Sequence, residues 1–216
     1  MKHGKRKRLA RQQRIDKKPR QHKHAAPGKK SASGKDTLYK KMLEECPKMR
    51  EIITYTTRPI REGEKDGVEY NFVNKKELDE FRKAGKVIEE RTYNTVYGPW
   101  TYATIDDGSI KLDRRNYVVI GTLESYAKIK EYFGEDAVRP IYLEIDPGIR
   151  MQRALNRELL QKEPKYAEMC RRFLADEEDF SEDRIYEAGI RKRYVNDDVS
   201  RCFTEILDDI DEDSRN

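Results

Sequence analysis

Residues 117–120, Tyr-Val-Val-Ile, form an unbroken apolar run in a chain of 216 residues of which 40% are charged. A strand apolar on both faces has to be covered on both faces, and a parallel sheet flanked by helices is the arrangement that does this. The surrounding pattern agrees. Helical periodicity predicts helices over 36–45, 75–83, 123–133, from Pro147 onward, 166–180 and 199–207, with Pro164 interrupting the long charged one. Strand-like runs fall between them at 52–55, 69–73, 87–91, 101–105, 117–120, 138–145 and 193–195. The stretches between 52 and 105 alternate at period two, with turns at Gly98-Pro99 and Asp107-Gly108, and read as a small antiparallel lobe inserted into the sheet. No internal repeat is visible. The expected fold is therefore α/β with a largely parallel sheet.

Charge divides the chain unevenly. Residues 1–30 hold 13 of the 46 Lys/Arg, one acid (Asp16) and all three histidines, a charge of +12, while the remainder carries −7. This leader has no aromatic residue and too little apolar surface to offset the entropy of ordering it. It is expected to be disordered through residue 30, with contact to nucleic acid or another anionic surface as the alternative. A buried first strand should precede the small-residue loop at 31–35, but 20–27 is polar and ends in Pro27, so that slot reads as unfilled. Cys46, Cys170 and Cys202 are scattered, which argues against a disulfide framework or zinc site. No apolar run approaches a membrane span, and a cytoplasmic location is the expectation.

Ser31-Ala32-Ser33-Gly34-Lys35-Asp36-Thr37 runs from tiny side chains into a helix. Small residues let backbone N–H groups approach phosphate oxygens, the helix N-terminus adds positive potential, and Lys35 is long enough to reach the β/γ oxygens of a nucleotide. The phosphate-loop motif wants an earlier glycine and a hydroxyl after the lysine. Gly28 sits one residue too early for it, and Asp36 stands at the hydroxyl position. A plain glycine turn before a helix, with Asp36 complementing its dipole, is the competing account.

The segment Thr54-Tyr55-Thr56-Thr57-Arg58-Pro59-Ile60-Arg61-Glu62-Gly63-Glu64-Lys65-Asp66-Gly67-Val68-Glu69-Tyr70-Asn71-Phe72 resembles the monophosphate-binding segment of guanylate kinases. Guanidinium forks suit a dianionic phosphate, and the resemblance implies that Arg58, Arg61, Tyr70 and Tyr97 hold the phosphate of GMP. It also aligns Glu89 with the carboxylate that reads guanine and Thr54 with a hydroxyl near the base. One carboxylate accepts guanine's adjacent N1–H and N2–H donors and is repelled by the N1 acceptor of adenine. Strand alternation turns the neighbouring Glu90 to the other face. Pro99 stands where the family has Ser or Thr, so one contact to the base is missing or moved to Thr101.

The resemblance extends over about residues 31–210 and implies a P-loop NTPase-type core with a monophosphate-binding lobe (about 54–105), a helical lid (about 150–182) and a tail at 211–216. Arg153–Arg157 and Arg172 match lid arginines that close on the phosphates, with Arg157 and Arg172 catalytic beside Lys35 and Arg58. A helix of mutually neutralising Arg/Glu pairs is the rival reading. Ser31–Thr37 and Asn196, in Asn196-Asp197-Asp198, are the implied ATP contacts. The family's aspartate after the apolar strand is absent from Val119-Ile120-Gly121-Thr122, and Asp36 is the candidate to hold Mg²⁺ in its place. The implied activity is transfer of the γ-phosphoryl of ATP to GMP or dGMP by a monomer or homodimer. The alternative is an impaired, guanylate-kinase-like protein-interaction module.

Overall fold

The computed structural model describes residues 23–27, 30–95 and 97–215, with 23–27 and 212–215 as backbone only. Four strands form the central sheet in the order β2 (Met49–Glu51), β7 (Asn116–Gly121), β1 (Lys23–Pro27), β8 (Val138–Pro140), all parallel. The run 138–145, expected as one strand, breaks at Ile141; β9 (Tyr142–Glu144) then pairs in parallel with β10 (Arg193–Val195). Pro140 has no N–H to donate, so the ladder changes partner there.

The expectation of a disordered leader through residue 30 and an unfilled first-strand slot is corrected here. β1 occupies that slot, with His24 opposite Val118, Ala25 opposite Val119 and Ala26 opposite Ile120 on one side, and Lys23–Ala25 opposite Val138–Pro140 on the other. Its neighbours supply the reason. β7 and β8 each turn a row of backbone N–H and C=O groups toward the gap between them, and every such buried group left unpaired costs about 1–3 kcal/mol. Backbone pairing is indifferent to side-chain type. Pro27 falls at the last position, where a missing donor costs least. Residues 1–22, and the disorder and nucleic-acid contact expected of them, lie outside the described residues.

Two apolar layers cover the sheet, and consecutive residues of β7 feed opposite layers. Val118 packs with Leu38 and Met42 of α1 (Lys35–Glu45) and with Phe203 and Ile206 of α7 (Val199–Arg215). Val119 packs with Tyr126 and Ile129 of α3 (Leu123–Phe133) and with Ile185 of α6 (Glu182–Glu187). The helix α6 was not foreseen from sequence, and α7 runs on to Arg215, so 211–215 is helix rather than tail.

The inserted lobe is a second sheet, β4 (Asn71–Phe72), β3 (Tyr55–Thr56), β6 (Gly98–Ile105), β5 (Val87–Thr95), closed by α2 (Lys75–Lys83) over Leu78, Ala103 and Ile105. It is mixed rather than purely antiparallel, because β3 and β4 run in parallel. The stretch 52–55, expected as one strand, instead carries the chain from β2 in the core sheet to β3 in the lobe. Gly98 and Pro99, expected as a turn, begin β6. The segment expected as the lid comprises α4 (Pro147–Leu159), which starts at an Asp146 cap followed by proline, and α5 (Tyr166–Asp179).

Candidate active site

The chain leaves β1 and enters α1 through the small-residue loop. Ala32 holds φ 62°, a left-handed conformation that costs an L-residue about 1–2 kcal/mol, and Gly34 follows at φ 84°. Gly34 is constrained twice: a Cβ there would sit 2.3 Å from Asn196 Nδ2. That amide donates to the Ser33 carbonyl at 2.6 Å, and Arg153 donates to the carbonyls of Asn196 and Asp197 at 3.2 Å each. Asn196 is fully buried, with Oδ1 unpartnered among the described residues. It braces the loop from behind. The loop is also tied at its start, where the Ser31 N–H donates to Asp176 of α5 at 2.5 Å and Lys30 lies 3.4 Å from Glu177. Buried Arg150 holds these two acids from the other side, 3.9 Å from Asp176 and 2.5 Å from Glu177.

In the lobe, Arg58 is 4% exposed and makes a two-pronged pair with Glu64, both contacts at 2.8 Å. Its guanidinium also lies over the rings of Tyr70 (5.2 Å) and Phe72 (5.4 Å). Glu64 further accepts the Arg61 backbone N–H at 2.8 Å. Hydrogen bonding from Arg58 holds the Glu64 carboxyl down at about 2, and the same bond raises the arginine. Burial pushes the Tyr70 phenol up.

β5 turns alternate residues, Glu89, Arg91, Tyr93 and Thr95, into one cleft, while Glu90 on the opposite face pairs with Arg82 at 2.9 Å. Glu89 accepts from Thr104 Oγ1 (2.8 Å) and Ser125 Oγ (3.2 Å) and lies 3.6 Å from Arg91 Nε.

That cleft, of about 1440 Å³, joins three regions. Ser31, Lys35 and Asp36 line one end, Thr54, Tyr70 and Glu89 the other, and Arg157 and Arg172 border it from the lid. Lys35 Nζ bonds the Asp36 carboxylate at 2.9 Å. Arg172 is paired with Glu168 at 2.7 Å, and the Arg171 and Arg172 guanidiniums hold that carboxyl at about 2. Arg157 has no ion-pair partner among the described residues.

A cleft with a small-residue loop and Lys35 at one end and a lobe carrying Tyr70 and Glu89 at the other invites comparison with nucleotide kinases. The sequence profile of guanylate kinases matches residues 28–111. The guanylate kinase of Symbiobacterium thermophilum is 31% identical over 186 residues, covering 82% of this chain and 78% of that protein. The chain belongs to the guanylate kinase family. A shorter match, to the guanylate kinase of Chlorobium luteolum, is 42% identical over 69 residues and spans 35% of that relative's length. The guanylate kinase of Anaplasma phagocytophilum shares the fold, with a TM-score of 0.61 at 18% identity over 92% of this chain and 89% of that one.

Against the family expectation, the structure brings Ser31, Lys35, Asp36, Thr54, Tyr70, Glu89, Arg157 and Arg172 to one cleft and leaves other residues outside it. Tyr97 is 81% exposed and stacks on Trp100 at 6.1 Å instead of joining Arg58 and Tyr70. Arg58 and Arg61 do not line the cleft: buried Arg58 is paired with Glu64, and exposed Arg61 gives the same carboxylate its backbone N–H. Asn196 is turned to the loop's backbone, and Arg153 to the carbonyls of Asn196 and Asp197. Ala32, Ser33 and Gly34 shape the loop without lining the cleft, and Thr37 is exposed on α1 outside it. Thr101 is buried and bonded to Thr92 at 2.8 Å, so it does not stand in for the hydroxyl that Pro99 lacks. Sequence reasoning missed Arg91 and Glu64. Arg91 was within its reach, because period-two alternation from Glu89 puts residue 91 on the same face.

Proposed function

We propose that the chain transfers the γ-phosphoryl group of ATP to GMP, and to dGMP, giving ADP and GDP. The observation that supports this most directly is the single cleft shared by Lys35, Glu89 and the lid arginines. Phosphoryl transfer needs little covalent assistance, so alignment of donor and acceptor with cations around the moving oxygens does most of the catalysis. On this reading the amides of the 31–37 loop cradle the ATP phosphates, Lys35 neutralises charge developing between β and γ, and Asn196 keeps the loop in shape. Glu89 takes the guanine N1–H and N2–H donors beside Thr54. Tyr70, Arg58 and Arg61 receive the GMP phosphate, with Glu64 releasing part of the arginine fork. Arg157 and Arg172 close over the transferred group, and Tyr97 joins only if the β5–β6 end folds inward.

Asp36 suits a magnesium ion. Its carboxylate borders the cleft and is largely open. Magnesium keeps several waters and takes its remaining oxygens from phosphates, so one carboxylate suffices. Among the described residues no group of three acidic, His or Cys side chains forms a protein-only cage. When bound with ATP, the ion screens the phosphate charge.

An ADP-release assay with GMP, dGMP, AMP and UMP as acceptors tests the reading. Rapid ADP formation with GMP and dGMP alone is the expected result. Absence of turnover with every acceptor favours the protein-interaction module, a reading supported by the engagement of Arg58 with Glu64. Both substrates are soluble nucleotides, which supports a role in purine nucleotide metabolism in the cytoplasm.

A further inference from the structure

Arg91 is the one cation that β5 turns into the cleft, and the proposed chemistry has not used it. Its guanidinium is clamped from across the cleft wall: Nη1 donates to Thr122 Oγ1 at 2.9 Å and Nη2 to Ser125 Oγ at 2.8 Å. Both hydroxyls stand where β7 turns into α3, and Thr122 also caps that helix. The clamp is therefore built on a rigid junction. Nε faces Glu89 Oε2 at 3.6 Å, while Thr104 and Ser125 donate to the two oxygens of that carboxylate. Glu89 is only 10% exposed at its side chain and Arg91 30%. A guanidinium offers five N–H donors. Two go to the hydroxyls, and the other three make no hydrogen bond among the described residues, with Nε 3.6 Å from the carboxylate. The cleft wall thus presents an acceptor and a donor side by side.

That order of groups has a complement among the purines. Guanine carries the N1–H and N2–H donors directly next to the O6 acceptor. Adenine carries an N1 acceptor next to an N6–H donor and is mismatched at both positions. From this juxtaposition we infer that Arg91 is a second base-specificity residue, donating to guanine O6 while Glu89 accepts from N1–H and N2–H. The inference rests on the GMP-kinase reading of the cleft. It divides recognition between two charges, so that selection against adenine does not depend on Glu89 alone. A buried donor left facing another donor is strongly disfavoured, and discrimination is sharpest in sites built this way.

The test compares GMP with 6-thio-GMP, in which a weakly accepting sulfur replaces O6, as acceptors for the full chain, for Arg91→Ala and for Arg91→Lys. Parent protein is expected to prefer GMP about tenfold in kcat/KM, with the difference residing mainly in KM. Arg91→Ala is expected to erase the preference to within about twofold, and Arg91→Lys, which keeps the cation but not the fork, to fall between. A merely structural role lowers both substrates in parallel and leaves the ratio intact, and that result overturns the assignment. A parent protein that does not distinguish the two acceptors overturns it as well. If Arg91→Ala folds poorly, the ratio in Arg91→Lys and equilibrium binding of the two monophosphates carry the same decision. Failure of the underlying reading has a separate signature, a parent protein that turns over neither acceptor, and the assignment then falls with it.

Discussion

The inserted lobe and the lid both bring charged groups to the cleft, and they hold them in opposite ways. In the lobe the charged groups are already held by their neighbours. Arg58 is buried against two rings and gripped by Glu64, and Glu89 is bonded by Thr104 and Ser125 beside Arg91. In the lid the cations that border the cleft, Arg157 and Arg172, stand on exposed helix surface. Among the described residues Arg172 is tied only to Glu168 one turn away, and apolar Leu159, Leu160 and Leu174 face solvent. A preorganised group loses little freedom on binding and suits recognition, whereas an exposed ion pair contributes about 0–1 kcal/mol and is easily exchanged for a phosphate. Under the proposed function, the contrast fits selectivity in the lobe and closure in the lid.

The largest effect is expected where the two regions meet the phosphate loop. Lys35→Ala should lower kcat by at least about 100-fold while GMP binding, measured at equilibrium without ATP, stays within about threefold. Loss of GMP binding in this variant would merge the two regions into one functional unit. Next is Glu89→Gln, whose amide accepts from one guanine donor and opposes the other with its own N–H. Its kcat/KM for GMP should fall by a factor equivalent to about 2–4 kcal/mol of transition-state binding, with the AMP rate little changed. Unchanged GMP kinetics would remove Glu89 from base reading.

A paired experiment addresses the contrast itself. Arg58→Ala should raise KM for GMP and lower the thermal midpoint by about 5 °C, because a buried cation with two ring contacts is removed. Arg172→Ala should lower kcat while the midpoint moves by no more than about 1 °C. Similar stability losses in both variants would mean that the lid is as tightly built as the lobe. The smallest effect concerns acid. The Glu64 carboxyl is held at about 2 when folded, against an ordinary 4.5, so the stability it adds is complete above the ordinary value and lost as pH falls from there toward 2. The midpoint difference between parent and Glu64→Gln should therefore shrink steadily from pH 5 to pH 2.5. A difference independent of pH would show that the pair is worth little in the free protein.

Much of this molecule was legible along the chain because it is encoded at short range. α2, α3 and β10 end where periodicity, caps and the first polar residue put them, and α1 differs by one residue. Period two alone separated Glu89 from Glu90, and the Thr54–Phe72 segment carried the family resemblance. Longer-range properties were not legible. β1 is polar in sequence and is a strand because two neighbouring strands need partners for their backbones. Tyr97 matches the family pattern, but its stack on Trp100 keeps it outside the cleft, while Asn196 was drawn behind the loop by a carbonyl 163 residues away. Arg91 shares a face with Glu89 by local geometry, yet its clamp comes from Thr122 and Ser125, more than 30 residues on. Sequence by itself determined which elements form and which faces they present, since those depend on residues two to four apart. Only the tertiary structure decided which groups meet across the cleft, because a hydrogen bond depends on distances between elements that no local pattern specifies.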